Sequence, residues 1–342
     1  MHDNFVKTLV CPRCAKGDLA LDVAERTSAE VRTGSLRCRH CELTMTIRDG
    51  AVDALAVASE TAQIEIAGNT EMVRRERATA DDAWLLALPK SYAQYYQDKD
   101  ESWQNEEKEV KALIELANPA PGSLVLDVGA GTTWSTNELA RRGCRAIALD
   151  VSHEKFVGLS SSDVFMAHYG THYERLAADM SRRLPFLDGA IDTIFVFSAL
   201  HHAPDLAATF AELARILKPG GTLAFVEATR GMLEADDFGA REIESFGINE
   251  HKYPLSRYHE VSRAAGLKLQ IHVAPSFTAK MNGFSRGNLR SPGPMYLKHR
   301  LGRLIARTLW RMPGMSRVAA VGYPLLCRVF GAQILAIARH RA

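Results

Sequence analysis

Over its last 82 residues, 261–342, the sequence has neither aspartate nor glutamate, although that stretch holds 14 lysines and arginines. Residues 1–260 keep the other 28 basic residues and all 40 acidic ones. A formal charge of +2 therefore conceals a body near −12 and a tail near +14. A segment with no anions of its own points to an anionic partner: a membrane surface, a nucleic acid, or the acidic body of the same chain. Also missing is an apolar core of signal-peptide length in the opening stretch MHDNFVKTLVCPRC, which leads us to expect a cytoplasmic protein. No repeat or low-complexity tract stands out, and six cysteines in 342 residues do not make a disulfide scaffold. The length suits one large domain with additions, or two domains.

Four of the cysteines are placed as metal ligands are. Cys11-Pro-Arg-Cys14 and Cys38-Arg-His-Cys41 are two C-x2-C knuckles separated by 23 residues. Cys11, Cys14, Cys38 and Cys41 are read as a closed tetrahedral zinc site, structural because no coordination position is left for substrate. LALDV and VRTGSLRC suit hairpin strands, and TMTIRDGAV adds another with a turn at Asp49-Gly50. His40 is read as a surface residue of its knuckle. Residues 1–58 are assigned to this head. Its knuckles and the trailing TIRDGAV resemble the small zinc-ribbon proteins that partner tRNA and protein methyltransferases, which implies a protein-docking role as one option.

Residues 59–120 read as a helical connector. Asp81 or Asp82 can cap the run beginning ADDAWLLAL, and Val110, Leu113, Ile114 and Leu116 recur at helical spacing before the break Asn118-Pro-Ala-Pro-Gly122. Tyr92, Tyr95, Tyr96 and Trp103 either pack these helices or line a pocket mouth; packing is the plainer reading.

From residue 123 strand and helix alternate: SLVLDVG, CRAIALDV, YERLAAD, IDTIFVFSA, GTLAFVEA and LKLQIHVA are the strands. That is the pattern of an α/β, doubly wound, Rossmann-like sheet, which binds ligands beyond the carboxyl ends of its strands. VLDVGAGTTWSTNELA opens like a dinucleotide loop but has Thr133 and Trp134 where a third glycine would stand. Asp127 is a poor neighbour for a pyrophosphate and a good one for an ammonium group. Asp150 can accept from both ribose hydroxyls, and Asp179, beside Met180, from an adenine amino group. A ribose, an adenine and a cationic end together describe S-adenosylmethionine.

DVGAG, ALD, AADMSRRLPF, IDTIFVFSALHHAPD and FAELARILKPGGTLAFVE follow in order over about 121–275 and together resemble the class I S-adenosylmethionine-dependent methyltransferases, in the branch with LHH after the fourth strand. The resemblance implies Asp127, Gly129 and Gly131 at the methionine end, Asp150 at the ribose, and Asp179 with Met180 at the adenine; Ser198 joins the cofactor set. Thr133 departs from the pattern, which implies a stiffer loop with Trp134 over the ligand. Relatives in this branch that methylate sugars and small molecules have a His and an acid after the fourth and fifth strands. Hence His201 is the candidate base and Glu227 its orienting acid, with His202 structural. Asn249, Glu250, His251 and Tyr253, in the polar segment after the fifth strand, are candidates for acceptor contact.

Residues 276–342 are read as a basic helical tail. Arg300, Arg303, Arg307 and Arg311 recur at helical spacing opposite Leu297, Leu301, Leu304, Ile305 and Trp310, and Pro313 ends the helix. The apolar run that follows from Val318 is interrupted by Pro324 and Arg328 and is a poor membrane span. Peripheral contact with the inner face of a membrane and packing on the acidic body stay open, with RNA third. The sequence thus reads as an S-adenosylmethionine-dependent O-methyltransferase for a sugar, glycan or other small hydroxylated acceptor, with lipid linkage of that acceptor left open. An rRNA base methyltransferase is the alternative enzyme, because a bacterial guanine-methylating family also joins a zinc head to this fold. A non-catalytic interaction protein that binds the cofactor is the alternative of another class.

Overall fold

Strands that are apolar on both faces need cover on both sides, and parallel strands joined by helices supply it. In a computed structural model, which describes residues 1–91, 102–232, 234, 240–278 and 315–341, the body meets that requirement. The head supplies β1 (Leu19–Arg26), β2 (Val31–Cys38), β3 (Thr44–Arg48) and β4 (Ala51–Asp53). The body supplies β5 (Leu124–Val128), β6 (Arg145–Asp150), β7 (Glu174–Ala177), β8 (Ile191–Phe197), β9 (Leu217–Ala228), β10 (Leu267–Val273) and β11 (Gln333–His340). The helices are α1 (Glu60–Glu76), α2 (Asp82–Leu86), α3 (Ser102–Ala117), α4 (Trp134–Arg141), α5 (Ser162–Tyr169), α6 (Leu206–Ile216), α7 (Ala240–Phe246), α8 (Leu255–Ala264) and α9 (Met315–Phe330).

The eleven strands of the described residues form one sheet, in the order β1-β2-β3-β4-β7-β6-β5-β8-β9-β11-β10. The five strands from β7 to β9 in that order run parallel. The order reverses between β5 and β8, and ligands of such sheets lie beyond the carboxyl ends at that switch point. Val125, Leu126, Ile147, Ile194, Val196, Phe225 and Val226 are wholly buried there.

The head is not a separate bead. Its strands are antiparallel among themselves, and β4 then pairs parallel with β7, Val52 opposite Leu176. The turn between β3 and β4 puts Asp49 at φ 50° and Gly50 at φ 78°, the left-handed pair that a two-residue hairpin requires. An ionic cluster also ties head to body. Buried Arg175 of β7 bonds Glu30 of the head and, at 2.9 Å, Asp163 of α5; Arg32 bonds the same Asp163 at 2.9 Å.

The connector is helical, and Asp81 caps α2 by accepting the Trp84 N–H at 2.8 Å. Tyr92, Tyr95 and Tyr96 lie outside the described residues, as does the side chain of Trp103. The final segment corrects the sequence reading. Residues 333–340 are not part of a helical tail: they form β11, inserted antiparallel between β9 and β10, with Ile334 opposite Glu227 and Val273. Ile334, Leu335, Ala336, Ile337 and Ala338 are buried in the sheet core. The apolar run before it is α9, with Pro324 inside the helix. The arginines at 300, 303, 307 and 311 lie outside the described residues.

Candidate functional site

At the switch point, β5 leads into the glycine loop. Gly129 has φ +69°, and any β-carbon there would collide with the side chain of Ala199. Thr133, in the third-glycine position, takes the left-handed conformation at φ 66°. Its hydroxyl bonds the Tyr173 hydroxyl at 2.8 Å, a buried staple that accompanies the strained backbone. Trp134 lies on the wall of the cleft, its ring edge-on to Phe197.

The loop forms one wall of a cavity of about 460 Å³, within the range of small-molecule sites. Gly129, Gly131, Asp150, Asp179, Met180, Ser198 and His201 all line it, so most of the residues singled out in the sequence meet in one place. Asp150, at the tip of β6, accepts the N–H of Gly131 and that of Ser152, both at 2.8 Å. Burial pushes its carboxyl up to about 6. Asp179 accepts from the Ser59 N–H at 3.0 Å, the Ser59 hydroxyl at 2.7 Å and the Ser181 N–H at 2.8 Å.

Asp127 departs from the expected direct contact. It is 1% exposed and is not among the residues lining the cleft. One of its carboxylate oxygens accepts the hydroxyls of Ser135 at 2.7 Å and Thr136 at 2.6 Å, anchoring the first turn of α4 from below. A carboxylate at the end of a fully buried strand is held by the element packed over it, and here that element carries two hydroxyls.

Glu227 of β9 is wholly buried and accepts three hydrogen bonds. They come from the N–H groups of Ala199 and Leu200, at 2.7 and 2.5 Å, and from Nδ1 of His201 at 2.9 Å. The carboxylate accepts, so Nδ1 carries a proton, while Nε2 faces a Glu250 carboxylate oxygen at 3.6 Å. Burial opposes a charge on His201, but the carboxylates of Glu227, Glu250 and Glu65 outweigh it and push its pKa up to about 9. Burial and the charge of His201 push His202 down to about 3.

Of the four acceptor-contact candidates, only Glu250 lines the cavity. Asn249 and Tyr253 instead brace the turn that carries the histidines. Asn249 donates to the His202 carbonyl at 2.7 Å, and the Tyr253 hydroxyl donates to that of Ala203 at 2.6 Å. The N–H of His251 bonds the His201 carbonyl at 2.8 Å. The sequence reading missed the contribution of α1, whose Ala62, Glu65, Asn69 and Met72 lie along the cleft. The signal was present as Glu65 and Asn69, two polar residues at helical spacing between Ala62 and Met72. Burial, with Asp150 and Glu250 nearby, pushes Glu65 up to about 8.

In the head, the Cys11 and Cys41 sulfurs are 3.4 Å apart and those of Cys14 and Cys38 3.5 Å apart, and all four lie within 4.8 Å of one another. Tetrahedral zinc with bonds of about 2.3 Å sets its sulfurs about 3.8 Å apart, so the cluster fits. The two knuckles are alike: the residue after each second cysteine, Ala15 or Glu42, is left-handed at φ 61° and 59°. His40 is exposed, as the sequence suggested.

The family described as "Methyltransferase domain" matches residues 126–225. Demethylmenaquinone methyltransferase of Corynebacterium glutamicum (strain R) is 29% identical over 153 residues, 45% of this chain and 58% of the relative. Sterol 24-C-methyltransferase of Eremothecium gossypii is 34% identical over 125 residues, 34% of this chain and 31% of the relative. The chain thus spans about half the length, or less, of the curated relatives it matches. Geranyl diphosphate C-methyltransferase of Streptomyces coelicolor A3(2) shares the fold, with a TM-score of 0.51 and 16% identity over 83% of this chain and all of that one.

Proposed function

We propose that the protein is an S-adenosylmethionine-dependent methyltransferase that O-methylates a small hydroxylated acceptor, with His201 as general base; the match of residues 126–225 to a methyltransferase domain supports this. The observation that carries this reading is the His201–Glu227 pair, 2.9 Å apart at the floor of the cleft. S-adenosylmethionine supplies a methyl group already activated on a sulfonium, so the chain's task is alignment and proton removal. An acceptor hydroxyl beside Nε2 of His201 gives up its proton there as its oxygen bonds to the methyl carbon and the carbon–sulfur bond breaks. Glu227 fixes the ring orientation and stabilises the imidazolium that forms. Asp150 holds the ribose hydroxyls and Asp179, with Met180, the adenine end. A cation in the cleft repels a proton from His201, which brings the base into its working form.

The cleft is rich in carboxylates, with Glu65, Glu106, Asp150, Asp179 and Glu250 on its wall against Arg77. That balance suits a cationic cofactor and disfavours a polyanionic acceptor such as RNA. The relatives named for demethylmenaquinone and sterol support a lipid-like acceptor. We also place a membrane contact on α9, where Val321 is 86% and Leu325 65% exposed, beside Met232 at 84%. The N–H of Met232 bonds the Arg328 carbonyl, and Arg328 follows Val321 and Leu325 at helical spacing, on the same side of the helix. Among the described residues no helix is long and apolar enough to cross a membrane. Structural zinc in the head completes the reading: Cys11, Cys14, Cys38 and Cys41 hold it, and it supplies folding energy.

The test is transfer of labelled methyl from S-adenosylmethionine to polar-lipid and glycolipid extracts, with total RNA in parallel. Label in a base-stable ether of the lipid fraction is expected; label in RNA overturns the acceptor, and none anywhere favours an interaction protein.

A further inference from the structure

Asp127 keeps one carboxylate oxygen on Ser135 and Thr136 of α4 and the other buried without a hydrogen-bond partner among the described residues, and it does not line the cleft. Another carboxylate does. Glu106, in the N-terminal half of α3, lines the same cavity as Gly131, Trp134 and Ser135. One turn deeper, Glu109 is fully engaged: it accepts from the Ser276 N–H at 3.3 Å and the Gln333 side chain at 3.0 Å. Glu106 is different. Its Oε2 is buried and has no hydrogen-bond partner among the described residues.

A buried carboxylate oxygen without a partner is unfavourable unless a donor or cation meets it. Burial, with Glu109 adding to it, pushes Glu106 up to about 8. The orphaned oxygen belongs to the wall of a cavity to which the glycine loop also contributes. We infer that Glu106 receives the ammonium group of the amino-acid end of S-adenosylmethionine. This rests on the cofactor reading above and adds a residue to it. It also explains how the loop functions with Asp127 behind the cleft: the charge that would meet the ammonium comes from the preceding helix. A charge-assisted hydrogen bond between the two would be stronger than a neutral one, and it would form only with ligands that carry the amino-acid end.

The test uses the full chain with bound zinc and two probes that differ in that end alone. S-adenosylhomocysteine has the amino-acid group; 5′-methylthioadenosine keeps the adenosyl sulfur and lacks it. Titration calorimetry on wild type and Glu106→Gln is expected to show S-adenosylhomocysteine weakened about 10- to 100-fold, with 5′-methylthioadenosine unchanged within about twofold. Glu106→Asp should recover part of the loss. Equal weakening of both probes would make Glu106 a structural residue and overturn the assignment, as would an undiminished affinity for S-adenosylhomocysteine. Wild type that binds neither probe would remove the cofactor reading, and this assignment with it.

Discussion

The head and the cleft both gather groups that carry negative charge, and they do so in opposite ways. In the head, four sulfurs close on a point, all within 4.8 Å, and each pair comes from a short knuckle. In the cleft, carboxylates from α1, α3, β6 and the segment after β7 spread around an open cavity. The first arrangement is satisfied by one compact ion and then excludes everything else. The second awaits an extended cation and leaves room for a second molecule. Local spacing builds the head; the cleft exists only when elements far apart in the chain come together. A structural metal and an exchangeable cofactor call for those two designs respectively.

The largest expected effect breaks the head. Cys38→Ser should lower zinc from about one equivalent to none and melt the ribbon, read by metal analysis and amide exchange of β1–β3. A variant that retains a full equivalent of zinc would show that three thiolates suffice.

Next, His201→Ala should cut turnover about 10²- to 10⁴-fold while S-adenosylhomocysteine affinity stays within about threefold. The rising limb of the wild-type pH–rate profile should disappear with it. Unchanged turnover would remove His201 as the base.

A smaller effect separates the two regions by pH. Glu65 and Glu106 rise from 4.5 to about 8 on folding, and His201 from 6.5 to about 9. Each raised group contributes stability that is present below its unfolded value and lost as pH rises through its folded value. The melting temperature of the unliganded protein should therefore fall between pH 7 and 9. S-adenosylmethionine should raise it more at pH 8.5 than at pH 6.5. A melting temperature that holds level across that window would show the cleft carboxylates to be already neutralised.

The smallest effect lies at the junction. Ser59 caps α1 by accepting the Ala62 N–H at 3.2 Å and also bonds Asp179. Ser59→Ala should cost about 0.5–2 kcal/mol in denaturant unfolding, with a few-fold loss of S-adenosylhomocysteine affinity. An affinity loss without a stability loss would make Ser59 a ligand contact.

Much of this was legible in the sequence because its causes are local. The C-x2-C knuckles, the Asp49-Gly50 turn and the acids ending the strands each need only a few neighbouring residues. The β11 strand was hidden for a different reason. It follows its partner β10 by some sixty residues, and a short apolar run does not declare whether it will be helix or strand. The packing of Asp127 behind the cleft was not legible because Ser135 and Thr136, which hold one of its oxygens, act through a helix turn that sequence spacing leaves unspecified. The role of α1 lay in a modest stripe, and nothing in its sequence states which cavity that stripe will border.

Joining β4 to β7 has a consequence for solubility. Without the ribbon, β7 would be a bare margin of the parallel sheet, with unpaired amides open to any passing strand. The head moves that margin outward to β1, whose last five residues are all exposed and include Asp22, Glu25 and Arg26, charges that discourage a further chain from adding on. Deleting the ribbon to isolate the catalytic domain would therefore be expected to yield a protein that self-associates through β7.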